Sequence, residues 1–200
     1  MIMKKSILWM IFLLTVMVAF SVSAFAEPPL ETIRTQVNKI LEVLSDPALK
    51  AESAKETKEK KIWAIIDAAF DYSELSARTL AQHWKAFTPE QQKEFIRLFG
   101  KLLGSTYMDR IMAYSNEKVV FGKTTQLSDN ITEVQSEVVT ASKSIPIFYR
   151  MILKDNHWKV FDVVIEGVSL VQNYRTQFRE ILKNKPPEAL INMLREKGLK

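Results

Sequence analysis

The 200 residues carry 28 Lys+Arg against 23 Asp+Glu, and a net charge of +5 is too small an excess to predict a nucleic-acid partner. The chain has no cysteine, which excludes disulfides and the acylated lipoprotein route, so its core must be held by packing alone. Five scattered glycines offer no phosphate-cradling loop and two separated histidines no zinc ligand set, so neither metal nor cofactor is expected.

Lys4 and Lys5 precede an apolar run from Ile7 to Phe20, which ends in the small residues Ser21-Val22-Ser23-Ala24-Phe25-Ala26. This order predicts a secretory signal peptide over residues 1–26, cleaved after Ala26. An uncleaved membrane anchor is the competing reading; the short apolar run and its small-residue end favour cleavage. Cleavage removes two lysines and no acids, which lowers the net charge to +3. Residues 27–200 then suit a single domain with a real core.

Leu30, Ile33, Val37, Ile40, Leu41 and Leu44 recur at helical spacing, and the pattern stops at Asp46-Pro47. The stretch KAESAKETKEKK reads as the solvated first half of a helix that turns apolar at Ile62, Trp63, Ile65 and Ile66. Asp67, Asp71 and Glu74 lie along one face if that helix is continuous, as a solvated acidic edge rather than an acid/base pair. Thr88-Pro89-Glu90-Gln91 predicts a helix start with a capping box. From there Phe95, Phe99, Leu103, Tyr107 and Ile111 form a stripe about 24 Å long at roughly 1.5 Å per residue.

After Asn116 the period changes to two. Val119 and Phe121 predict a short strand, residues 127–130 a turn, and Val134, Ser136 and Val138 one face of a second strand. Ile147, Tyr149, Met151 and Leu153 line a third strand, Asp155-Asn156 fits a hairpin turn, and Trp158 to Ile165 returns as a fourth. Two helices follow, from Leu170 to about Lys183 and from Pro187 to about Lys197, parted by Pro186-Pro187. Helices first and strands after predict an α+β fold, with a helical layer packed on a curved antiparallel sheet of about four strands.

The segment GVSLVQNYR, just past the fourth strand, offers half of a nucleophile elbow but lacks the second glycine. Ser169 with Gln172 fits a helix cap instead. A small hydrolase or isomerase remains the alternative from another class, and it would have to draw its polar pair from Asp162, Tyr149 and Tyr174. A scaffold with a filled core is a third reading.

Phe70-Asp71-Tyr72 with Leu80 and Trp84, Thr88-Pro89-Glu90-Gln91 with Phe95, Phe99 and Tyr107, and above all Trp158 to Val163 running into Glu166 to Val171 and Asn173-Tyr174-Arg175 form one pattern. From about residue 30 to 197 it resembles the MlaC family, the periplasmic phospholipid carriers also called toluene-tolerance proteins. Residues 118–145 match in pattern only. The resemblance implies a monomeric, non-enzymatic periplasmic protein that encloses diacyl phospholipid tails in a deep pocket. It further implies shuttling between an outer-membrane lipoprotein–porin complex and an inner-membrane ABC transporter with an MCE-domain subunit. At about 0.8 kcal/mol per methylene, two tails of around fifteen carbons would cost roughly 20 kcal/mol or more in water, so such a pocket belongs at or above the top of the usual range of roughly 300 to 1,000 Å³. The candidates for its lining are Phe95, Phe99, Leu103, Tyr107 and Ile111 on the long helix, the strand residues Phe121, Val138, Tyr149, Met151, Val163 and Ile165, and Tyr174. Arg175 either pairs with Asp162 as a structural tie or contacts the lipid phosphate.

Overall fold

The computed structural model describes residues 26–115 and 117–197, and all but the last position of the predicted leader lies outside them. Helix α1 spans Pro29–Ser45 and stops where Asp46 accepts a hydrogen bond from the Ala48 N–H to open a short 3-10 turn. Helix α2 follows at Lys55–Ala69, its charged half in solvent and Ile62 fully buried at its apolar end.

The acidic edge is not continuous. The chain becomes extended at Phe70 and donates the Asp71 N–H to the Val160 carbonyl of the sheet at 2.8 Å, which breaks the helix before α3, Tyr72–Leu80. Asp71 then caps α3 through the Glu74 N–H, and both carboxylates take the Lys154 ammonium, at 2.7 and 2.9 Å. Asp67 instead accepts from the Tyr72 hydroxyl.

Helix α4, Pro89–Met112, starts with both halves of the expected capping box, Gln91 N–H to Thr88 Oγ1 and Thr88 N–H to Gln91 Oε1. Its first half meets α5, Leu170–Leu182, and α6, Pro187–Lys197, in a dense core of Phe95, Leu98, Phe99, Tyr174, Phe178, Leu190, Ile191 and Leu194.

The sheet has five strands rather than about four, all antiparallel and in chain order: β1 Lys118–Ser128, β2 Ile131–Val139, β3 Ser144–Lys154, β4 His157–Ile165 and β5 Val168–Ser169. β1 is eleven residues long, where apolar alternation marked only Val119 and Phe121. Its remainder is polar because it is an exposed edge, and its register shifts between Phe121 and Thr124. β5 was hidden because it is two residues long; Glu166 and Gly167, both at positive φ, form the turn before it. Asp155 and Asn156 turn the preceding hairpin at positive φ without a glycine.

One buried carboxylate joins the layers. Asp162, 1% exposed, accepts from the Ser169 hydroxyl at 2.6 Å, the Val171 N–H at 3.0 Å and the Arg150 guanidinium at 3.1 Å. Ser169 caps α5 as expected, accepting from the Gln172 N–H. With Asp162 satisfied, the expected Arg175–Asp162 tie does not form. Arg175 instead donates Nε and Nη2 to the Arg78 carbonyl, at 3.1 and 2.7 Å, in the last turn of α3 where carbonyls lack helical partners.

Asp162→Ala strands the Ser169 hydroxyl and the Val171 N–H and is expected to lower unfolding free energy by about 3 kcal/mol in urea titrations, against about 1 kcal/mol for Ser169→Ala. The Lys154 tie gives a pH signature. Burial pushes the Asp71 and Glu74 carboxyls up, but Lys154, the Asp71 cap bond and Arg78 outweigh it and hold both below their ordinary values. Burial likewise pushes Lys154 down, and the two carboxylates more than reverse it. The carboxylates' share of stability is therefore present above about pH 4 and lost as pH falls through their lowered native values. The lysine's share is lost only at alkaline pH, above its ordinary value. Lys154→Met is expected to flatten the acid limb of the stability curve and to cost about 1 kcal/mol at neutral pH, because Lys154 is well exposed.

Candidate functional site

The second half of α4 does not enter the dense core. Beyond Leu103 it runs over the sheet, and together with α1 and α2 it leaves a cavity of about 500 Å³. The α1 stripe of Ile33, Val37, Ile40, Leu41 and Leu44 forms one wall, Trp63, Ile66 and Phe70 a second, and Leu103, Tyr107, Met108 and Ile111 a third. The sheet closes it with Val119, Val138, Ile145, Ile147, Tyr149, Val160, Val163 and Ile165. Of the α1 residues only Ile33 is buried; with Leu30 and Val37 it packs on the sheet core, while Ile40, Leu41 and Leu44 continue the same face along the cavity.

Of the twelve candidate lining residues, Leu103, Tyr107, Ile111, Val138, Tyr149, Val163 and Ile165 stand in the cavity wall. Phe95, Phe99 and Tyr174 do not. Phe95 and Phe99 pack tilted against each other and meet Tyr174 and Phe178 edge-on, centroids 5.0 to 5.7 Å apart, and fill the helical core. Met151 is fully buried within the sheet core, and Phe121 packs against that core with the Arg34 guanidinium 5.4 Å over its ring. The stripe of α4 has a uniform period and reads as one wall in sequence, yet its neighbours change halfway along. The volume accordingly falls mid-range rather than at the top, since the aromatic cluster occupies the half assigned to the pocket.

What sequence reasoning missed is the contribution of α1, Trp63 and Ile147. The α1 period was visible, but a helical stripe reads the same whether it faces a core or a cavity. Gly104 carries no sequence signal at all: a Cβ there would lie 2.2 Å from the Trp63 ring, so this glycine lets the indole approach α4 closely as part of the wall.

Besides the phenols of Tyr72, Tyr107 and Tyr149, the polar lining consists of Gln36, Arg110, Tyr114, Glu117, Thr140 and Glu166, which are half-buried or exposed. Glu166 is paired with Lys143, and Arg110 lies over the Tyr107 ring at 5.8 Å. Tyr149 is pushed up by burial, against a hydrogen bond with Ser136 that pulls it down. Tyr107 is pushed up by burial and by Tyr174. Both phenols therefore stay neutral at physiological pH. Tyr149, Tyr174 and Asp162, the groups a hydrolase would need together, are held apart: Tyr149 faces the cavity, Tyr174 the helical core and Asp162 the other side of the sheet.

Among the described residues there is no His, Cys, Asp or Glu cluster able to hold a metal ion, and no helix long and apolar enough to cross a membrane. His83 lies in a 3-10 segment, Ala81–Ala86, and His157 opens β4 with Nδ1 2.7 Å from the Asp155 carbonyl.

A protein-family model described as MlaC protein matches residues 34–196. The intermembrane phospholipid transport system binding protein MlaC of Haemophilus influenzae is 26% identical over 125 residues, 60% of this chain and 58% of that protein. The match thus spans little more than half of that relative's length. Among solved structures, the phospholipid-binding protein from Ralstonia solanacearum, in complex with a phospholipid, aligns with a TM-score of 0.75 at 25% identity, covering 86% of this chain and 98% of that one.

Gly104→Val is expected to drive the indole of Trp63 into the cavity. Uptake of a fluorescent fatty acid should then fall several-fold while the helical circular-dichroism signal persists, whereas Gly122→Ala, at the β1 bulge outside the cavity lining, should leave uptake unchanged.

Proposed function

The chain belongs to the MlaC family, and from that premise we propose that it is a non-enzymatic phospholipid carrier whose cavity holds acyl tails. The observation that carries this reading is the apolar cavity between α1, α2, α4 and the sheet, whose charged lining residues, Arg110, Glu117 and Glu166, are half-buried or exposed. Leu103, Tyr107, Ile111, Val138, Tyr149, Val163 and Ile165 contact the tails, with the α1 stripe as the opposing wall. A methylene withdrawn from water gains about 0.8 kcal/mol, so an apolar surround is enough to retain a tail without any specific bond. The phospholipid bound by the Ralstonia protein and the transport role named for the Haemophilus protein support this assignment.

The headgroup stays at the rim. Arg110 is the cation among the lining residues, and it replaces Arg175, which lies outside this cavity. The protein works in the periplasm after its leader is removed, as a monomer, and exchanges lipid with an outer-membrane lipoprotein–porin complex and with the MCE-domain subunit of an inner-membrane ABC transporter.

Protein purified from a bacterial periplasm under native conditions is expected to carry a diacyl phospholipid, seen as a lipid-sized adduct in native mass spectrometry. A well-folded preparation that yields no lipid on extraction defeats the proposal. Arg110→Glu is expected to reduce retention of phosphatidylglycerol relative to phosphatidylethanolamine by about five-fold, the effect of roughly 1 kcal/mol at an exposed site. A ratio of the two lipids in the variant unchanged from that of the unmodified protein would remove Arg110 from the headgroup role.

A further inference from the structure

Three arginines on the other side of the sheet have no part in the carrier role. A smaller pocket of about 290 Å³ lies there, lined by Arg78, Arg150 and Arg175 with Phe161, Asp162 and Leu127 among its other walls. It shares no lining residue with the large cavity. Strand alternation separates the two: Tyr149 and Val163 face the cavity, while their neighbours Arg150 and Asp162 face the smaller pocket.

We propose that this pocket is an oxyanion site for a phosphate or phosphate-ester group. Its guanidinium groups converge from three elements, α3, β3 and α5, and each is already fixed in place. Arg78 donates Nε to Glu74 at 2.8 Å and lies 4.1 Å over the Phe161 ring. Arg150 donates Nε to Glu133 and Nη1 to Asp162, both at 3.1 Å. Arg175 donates Nε and Nη2 to the Arg78 carbonyl.

A guanidinium has five N–H groups, so these bonds leave donors over. Both terminal nitrogens of Arg78, Nη2 of Arg150 and Nη1 of Arg175 have no protein partner among the described residues. Asp162 is the acid among the lining residues, and its oxygens are taken by Ser169, Val171 and Arg150. Glu74 and Glu133 pair with Arg78 and Arg150 from outside the pocket, so its own wall presents three arginines and one aspartate. An ion-pair network that only supports the fold accounts for Arg150. It does not account for Arg175, which meets only a carbonyl oxygen, or for the terminal nitrogens of Arg78. Fixed planar forks lose little freedom on binding and match the oxygens of a phosphate group.

The test uses the purified, leader-cleaved protein with two probes: inorganic phosphate, followed by amide chemical shifts, and vesicles of phosphatidylcholine with or without phosphatidylglycerol, followed by flotation. Phosphate is expected to shift resonances around the small pocket saturably, with affinity that falls as salt rises. Arg175→Gln should weaken it by at least about ten-fold. Because that variant also loses two hydrogen bonds to α3, Leu127→Glu is the second one. Leu127 is 51% exposed, and a carboxylate there opposes an anion without disturbing an internal bond. It should weaken binding several-fold at an unchanged unfolding midpoint. Saturable phosphate binding lost in both variants upholds the site with a soluble phosphate as its ligand. Binding only to phosphatidylglycerol-containing vesicles, lost in both variants, upholds it with a lipid headgroup as the ligand. Failure of both probes, or binding that both variants leave intact, overturns it.

Discussion

Phe95, Phe99, Tyr174 and Phe178 meet edge-on where α4 crosses α5, with centroids 5.0 to 5.7 Å apart, and the cavity depends on that contact. Apolar walls that face a space instead of one another forgo dispersion contacts, so a chain that keeps them apart needs a rigid support elsewhere. The aromatic cluster supplies it. It locks the first half of α4 against α5 and α6, and the continuous hydrogen bonding of the helix carries that rigidity to Tyr107 and Ile111, over the sheet. Filling and enclosing are thus done by one helix, in two halves.

The sheet makes the same division across its thickness. Residues alternate between faces along β3 and β4, so Tyr149, Val163 and Ile165 look into the cavity while Arg150 and Asp162 look away from it. Asp162 then gathers Ser169, Val171 and Arg150 and ties the start of α5 to the strand beneath it. A carboxylate buried this deeply is tolerable only because every donor it needs is present. Its position keeps the charge off the cavity face, where nothing could neutralise it.

Electrostatics follow the same partition. Inside the cavity the polar atoms are tyrosine hydroxyls that burial keeps neutral, and charged side chains stand at its solvent edge or beyond the sheet. An apolar chain can therefore enter without desolvating an ion, and a polar end left at the edge meets Arg110 and Glu166 in water. The Lys154 tie to Asp71 and Glu74 lies outside this surface, where it fixes the break between α2 and α3.

Much of this was legible in the sequence, because some signals are local. The capping box at Thr88, the cap at Ser169, the stop at Asp46-Pro47 and the period-two strands from Val134 to Ile165 each rest on residues within a few positions of one another. They sufficed for five of the six helices, most of the sheet and the α+β class; the break at Phe70 that makes α3 a separate helix depends on a bond to the sheet. The polar remainder of β1 beyond Phe121 and two-residue β5 escaped because neither carries an apolar period. The site was half legible. Leu103, Tyr107 and Ile111 share a stripe with Phe95 and Phe99, and only the partners across the fold decide that the first three face open space and the other two a filled core. Arg175 shows the same limit: its charge is in the sequence, but its partner is a carbonyl 97 residues away. Local chemistry sets which face of an element is apolar; what stands opposite that face is a matter of long-range packing, and it was this that divided core from cavity.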